Sequence, residues 1–204
     1  MEHYKGIKFT VRFAEKKLLD FPIQKELIAW GEKLSKLDCI PTYPHPENPH
    51  IISSAGNLSA RIDGKFIVTS AGSNLGVLTQ KNFVEIIDVD VHTETIQAIG
   101  IEQPSSETML HNEIYKKRED ILVILHGHND LILQYAQELG LKSTRNHYPY
   151  GTIKLTESVT EILKDDDEFL IMKGHGFLSF GKTCQQAGEN IIRVLNKITK
   201  ISGA

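Results

Sequence analysis

Between residues 7 and 13, apolar Ile7, Phe9, Val11 and Phe13 alternate with Lys8, Thr10 and Arg12. This period of two belongs to a half-buried strand, expected here at a sheet edge. After Pro22 the period changes: Ile23, Leu27, Ile28, Trp30, Leu34 and Leu37 fall on one face of a helix with the proline at its start. Pro41, Pro44, Pro46 and Pro49 exclude both helix and central strand between residues 40 and 50, so a surface loop is expected there. Two short strands flanking Asp63-Gly64 read as a hairpin, followed by alternating residues 83–91 and a further short strand at 96–99. Pro104-Ser105-Ser106-Glu107 opens a helix reaching about Lys117, with a serine placed to cap its free N–H groups. Residues 121–125 are five consecutive apolar residues rich in β-branched types, the mark of a fully buried strand. Helices are expected at 131–139, closed by Gly140, at 155–163, and from Thr183 to the end of the chain. A buried strand at 169–172 and an apolar segment at 177–180 lie between the last two.

Composition narrows the class. A chain of 204 residues, 40% hydrophobic and 24% charged, buries one sizeable core, and a single domain over 1–204 is expected. A formal charge of −3 gives no basic field, so neither nucleic acid nor an acidic membrane surface is suggested and a small-molecule partner is more natural. Cys39 and Cys184 lie far apart outside any CxxC spacing, which fits a reducing cytosol and argues against a disulfide framework or a thiolate zinc site. The N-terminal residues lack the layout of a signal peptide, and no apolar run approaches the length of a membrane span. A soluble, cytoplasmic protein is expected.

The chemistry concentrates where the buried strand ends. His126 and His128 flank Gly127, and residues two apart on a strand project to one face, so the pair is half of a metal site. His175, between Gly174 and Gly176 at the end of another strand, is the candidate third ligand, because glycines let the backbone approach closely. Glu107 has two readings: an acid stabilised in the first turn of its helix, or a proton-moving group facing the histidines. The small residues Ser53, Ser54, Gly56, Asn57, Thr69, Ser70, Gly72 and Ser73 either form ordinary turns or offer hydroxyls, an amide and open N–H groups to a phosphate. His45 and His50 read as solvated loop residues, His111 as a packed or hydrogen-bonded structural histidine, and Asp165-Asp166-Asp167 as a solvated acidic loop without the ligand spacing of a calcium site.

Gly56-Asn57-Leu58-Ser59, Thr69-Ser70-Ala71-Gly72, Pro104-Ser105-Ser106-Glu107, His126-Gly127-His128 and Gly174-His175-Gly176-Phe177, in that order, resemble the motifs of the class II aldolase/adducin family. The resemblance covers residues 53–196, with residues 1–50 as an N-terminal addition. It implies a three-layer α/β/α fold with a central, mainly antiparallel sheet, and a homotetramer. It further implies that His126, His128 and His175 bind Zn²⁺ or another divalent metal, that Glu107 is the acid/base, and that Ser54, Asn57, Gly72, Ser105 and Ser106 cradle a sugar phosphate. Three neutral imidazoles leave zinc an open position. A divalent cation then stabilises the charge of the enediolate formed when a carbon–carbon bond beside a ketone breaks. The implied activity is retro-aldol cleavage of a phosphorylated ketose. Glu rather than Asp at 107 departs from the family's epimerases. Dehydratases of the family also carry Glu, and Gly174-His175-Gly176 resembles some of them, so a dehydratase of the methylthioribulose-1-phosphate type is the alternative; an adducin-like binding module without catalysis is the reading from another class.

Overall fold

A computed structural model describes residues 6–45 and 48–203. An eight-stranded sheet runs through it in the order β1-β7-β6-β5-β4-β8-β10-β9. Its strands are β1 (Thr10–Glu15), β4 (Asn57–Ile62), β5 (Lys65–Thr69), β6 (Phe83–Asp90), β7 (Thr95–Ile99), β8 (Val123–Gly127), β9 (Phe169–Met172) and β10 (Gly176–Gly181). Every neighbouring pair is antiparallel except β1 with β7, which is parallel. The expected N-terminal strand is thus an edge strand, beginning at Thr10 rather than at residue 7.

Alternation along the strands feeds two cores. Leu58, Ala60, Val123, Leu125 and Phe177 face α1 (Gln24–Lys36), α3 (Asp130–Tyr135) and α5 (Cys184–Ser202). Val68, Val84, Ile124, Leu178 and Phe180 face α2 (Thr108–Lys117) and α4 (Ile153–Ile162). Burial of both faces by helices explains why β8 reads as a continuous apolar run. The result is the expected α/β arrangement, with helices on both sides of a mostly antiparallel sheet. His126 has the parity of Ile124, so β8 presents it on the side where α2 begins.

Two expectations needed correction. The proline-rich segment forms a two-stranded ribbon outside the main sheet, β2 (Thr42–His45) paired antiparallel with β3 (Asn48–Ser54), with an irregularity between Pro44 and His45. Proline is compatible with such an isolated ribbon, whose outer N–H positions are not needed for pairing; exclusion from the central sheet held. The helix expected at 131–139 is shorter: α3 starts after Asn129, whose side chain accepts from Ile132 N–H, and ends at Tyr135. The chain then continues through turns to Gly140, which has φ +63°.

Candidate metal and active site

Four side chains meet at one end of β8. His126 is fully buried, and its Nδ1 lies 2.8 Å from the Phe177 carbonyl on β10. That carbonyl can only accept, so Nδ1 carries a proton and Nε2 faces the site. His128 follows the strand, anchored by its N–H to the Cys39 carbonyl at 2.8 Å, with Nε2 3.1 Å from His126 Nε2. His175 sits in the β9–β10 turn, its N–H donating to the Met172 carbonyl at 2.9 Å. The ring centroids are 4.8 to 5.2 Å apart.

Glycines make this convergence possible. A Cβ on Gly176 would lie 2.5 Å from the Gly127 carbonyl oxygen and 2.9 Å from His126 Cε1, closing the gap between β8 and β10. Gly174, at φ +68°, turns the chain so that His175 points back over the sheet.

Glu107 is the N-cap residue of α2, yet its carboxylate caps nothing. It reaches instead to His126 Nε2 at 2.9 Å and His175 Nε2 at 3.0 Å, and accepts from Asn57 Nδ2 at 2.9 Å. Of its two sequence readings, the carboxyl facing the histidines is the one observed. Ser105 takes over part of the local capping, accepting weakly from Glu107 N–H at 3.4 Å.

Burial by itself would push the Glu107 carboxyl up. The His126 and His175 imidazoles overcome it and hold the group well below the usual carboxylate range. Burial lowers His126, but the Glu107 charge reverses this and leaves it raised. Burial, then the neighbouring His126 and His175, keep His128 well below an ordinary histidine and hence neutral.

The three histidines fit a metal. Their ligand nitrogens lie within 4.8 Å of one another. Nitrogens bound at about 2.0–2.1 Å to one tetrahedral Zn²⁺ stand about 3.3 Å apart. The His126–His128 nitrogen pair is already at that spacing. The donor set, three imidazoles without a thiolate, is that of a site with an open position.

The segments expected to hold a phosphate lie side by side. Ser54 N–H donates to the Ser73 carbonyl at 2.9 Å, and Ser53 Oγ to the Gly72 carbonyl at 2.8 Å. Ala71 N–H reaches the Gln103 carbonyl at 2.9 Å and Ser105 N–H the Thr69 carbonyl at 3.1 Å. These bonds stitch the segments of Ser54, Gly72, Ser105 and Ser106 into one rim, with Asn57 joining it to Glu107. Ser54 Oγ already accepts from Leu75 N–H at 2.9 Å, leaving its hydroxyl proton to offer. His111 is buried with Nδ1 2.7 Å from Ser59 Oγ, in keeping with a structural role.

Sequence reasoning missed His45. An ideal Cβ on Gly72 would lie 3.1 Å from its Cδ2 and 3.2 Å from its Nε2, which places the imidazole on the cradle rather than in a solvated loop. Only the β2–β3 pairing, invisible among the prolines, would have signalled this. The supporting carbonyls of Phe177 and Cys39 carry no side-chain signal at all.

With this geometry, comparison with known proteins is specific. Residues 49–198 match the family described as Class II Aldolase and Adducin N-terminal domain. An L-fuculose phosphate aldolase of Methanocaldococcus jannaschii is 30% identical over 150 residues, covering 67% of this chain and 77% of that protein. A methylthioribulose-1-phosphate dehydratase of Gluconacetobacter diazotrophicus is 30% identical over 106 residues, covering 52% of this chain and 44% of that protein. Among solved structures, an L-fuculose-1-phosphate aldolase from Thermus thermophilus superposes with a TM-score of 0.64 at 18% identity, covering 88% of this chain and 91% of that one. The chain belongs to the class II aldolase and adducin family. Within it, the chain is an enzyme of the class II aldolase type, a metal-dependent lyase.

Proposed function

We propose that the protein is a zinc-dependent aldolase that cleaves a phosphorylated ketose by retro-aldol chemistry through an enediolate. The observation that carries this reading is Glu107, a buried carboxylate held between His126 and His175 and joined through Asn57 to a rim of small polar residues. His126, His128 and His175 would hold the metal through Nε2 of His126 and of its neighbours. Bound there, Zn²⁺ supplies a Lewis acid that stabilises negative charge on the ketose oxygens.

The protein's own groups do the rest. Ser54, Gly72, Ser105 and Ser106, with the Asn57 amide at their inner end, hold the phosphate and spend binding energy on orientation. If the same Nε2 atoms of His126 and His175 took a cation, Glu107 would keep Asn57 Nδ2 as its partner. Burial raises the carboxyl's hold on a proton while positive charge beside it weakens that hold, so Glu107 can both take up and give up a proton there. Glu107 so placed delivers its proton to the enediolate carbon, and removes that proton in the synthetic direction.

Dehydration is the second reading. It is supported by the likeness to a dehydratase and by Gly174-His175-Gly176, which resembles the motif of some of the family's dehydratases. A binding module without catalysis is disfavoured because ligands and acid are assembled together. Metal analysis of the purified protein followed by product analysis across phosphorylated ketoses separates the three. Zinc with two cleavage fragments supports the aldolase, zinc with an uncleaved dehydrated product the dehydratase, and absence of metal the module. The reading also includes a homotetramer in the cytoplasm, which light scattering and cell fractionation test. Among the described residues no helix is long and apolar enough to cross a membrane.

A further inference from the structure

We infer that His45 is a substrate-phosphate ligand, a specificity-determining side chain that the β2–β3 ribbon delivers to an otherwise uncharged cradle. The inference rests on the sugar-phosphate reading above and adds to it a residue from outside the family's motifs.

The cradle lacks a cation of its own. Residues 53–57, 69–73 and 103–107 contain no Lys or Arg, and their one ionisable side chain is the acid Glu107. A phosphate monoester brings about 1.5–2 negative charges. Hydroxyls and backbone N–H groups can bind it, but a neighbouring carboxylate opposes it, and one donor able to carry positive charge would shift the balance.

His45 is placed to be that donor. Its Nε2 and Cδ2 lie 3.2 and 3.1 Å from the Cβ position of Gly72, so the ring edge rests against the backbone that the phosphate would approach. Gly72 has φ +70°, which favours glycine. A side chain there would also press on the imidazole. The ribbon is not a loose arm. Thr42 and Tyr43 of β2 pair with Ser54 and Ser53 of β3, Ser53 Oγ donates to the Gly72 carbonyl, and Ala55 N–H donates to the Pro41 carbonyl at 2.9 Å. The strand that holds His45 is therefore paired with Ser54 of the rim and with its neighbour Ser53. An imidazole donates through an N–H whether neutral or charged, so it serves a phosphate in either state.

Calorimetric titration of the zinc-loaded protein with inorganic phosphate tests this, using wild type, His45→Ala, His45→Gln and, as a control, His50→Gln on the exposed part of β3. Zinc content and thermal unfolding of each variant establish that the site and fold are intact. His45→Ala is expected to weaken phosphate binding about tenfold or more, the loss of a charge-assisted hydrogen bond. His45→Gln, which keeps an N–H donor, should recover part of it, and His50→Gln should match wild type. In steady-state assays on a phosphorylated ketose, KM should rise by a similar factor with kcat within about twofold. Unchanged phosphate affinity in both His45 variants overturns the inference and leaves the aldolase reading standing, as does an equal loss in His50→Gln. Wild-type protein that binds no phosphate overturns both. Phosphate binding that depends on His45 in a protein cleaving no ketose upholds the inference and overturns the aldolase reading.

Discussion

Glu107 is useful because its surroundings disagree about its proton. Burial favours the neutral acid and the imidazoles favour the carboxylate, so the charge it carries is set by what the histidines are doing. Glu107→Gln keeps the shape and the neighbours but cannot exchange a proton. It should retain zinc, measured by elemental analysis, while kcat falls by about 10²–10⁴. His111 makes a different prediction. Burial pushes its imidazole down to about 3 from the ordinary value of 6.5. Above that ordinary value both folded and unfolded chains leave the ring neutral and its full contribution is present. As pH falls from about 6.5 toward 3, the unfolded chain takes up a proton that the folded chain refuses, and stability declines by up to about 1.4 kcal/mol per pH unit from this ring. In urea titrations across that range, His111→Gln should lose stability less steeply than wild type. Single residues were legible where their chemistry is scarce. His126, His128 and His175 stood out as imidazoles beside glycines at strand ends. His45 did not, because nothing in Tyr43-Pro44-His45 distinguishes a ribbon from a loop.

At the scale of elements, period decided what could be read. The alternation in β6 and the 3.6-residue spacing in α1 and α5 survive into the structure because both patterns record burial against a neighbour. The β2–β3 ribbon buries little and carries prolines, so it left no period to find. Packing between elements was equally hidden. Gly188 in α5 lies where a Cβ would collide with the Trp30 ring of α1. Both helices cover the same face of the sheet, and Trp30 is only 6% exposed, so the indole has little room to retreat. Gly188→Ala is expected to cost about 1–3 kcal/mol by overpacking, lowering Tm by several degrees in a chain of this size. Differential scanning calorimetry checks this, and an unchanged Tm would mean that α1 can slide on the sheet.

For the whole molecule, the site is where distant parts of the chain are joined. Glu107 and His175 are 68 positions apart, and Asn57 and Glu107 are 50 apart. No short fragment contains the constellation, so metal affinity and global stability are linked. Zinc at a hundredfold excess over its Kd should raise unfolding free energy by about 2.7 kcal/mol. Chelation should reverse the gain, and His128→Ala should abolish it, both read by thermal melts. The long separations also explain why order along the chain revealed the motifs but not their joinery: the Phe177 carbonyl meets the His126 imidazole, 51 residues away, and the Cys39 carbonyl the backbone N–H of His128, 89 residues away, only after β8 has found β4 and β10.

The bond from His126 Nδ1 to the Phe177 carbonyl has one more result. It runs alongside the ladder between β8 and β10, so a cation held by His126 and His175 would clamp that seam from its open end. Deuterium uptake by the amides of residues 124–127 and 177–180 would then slow on zinc addition. The β1–β7 rim, at the opposite margin of the sheet, would keep its rate.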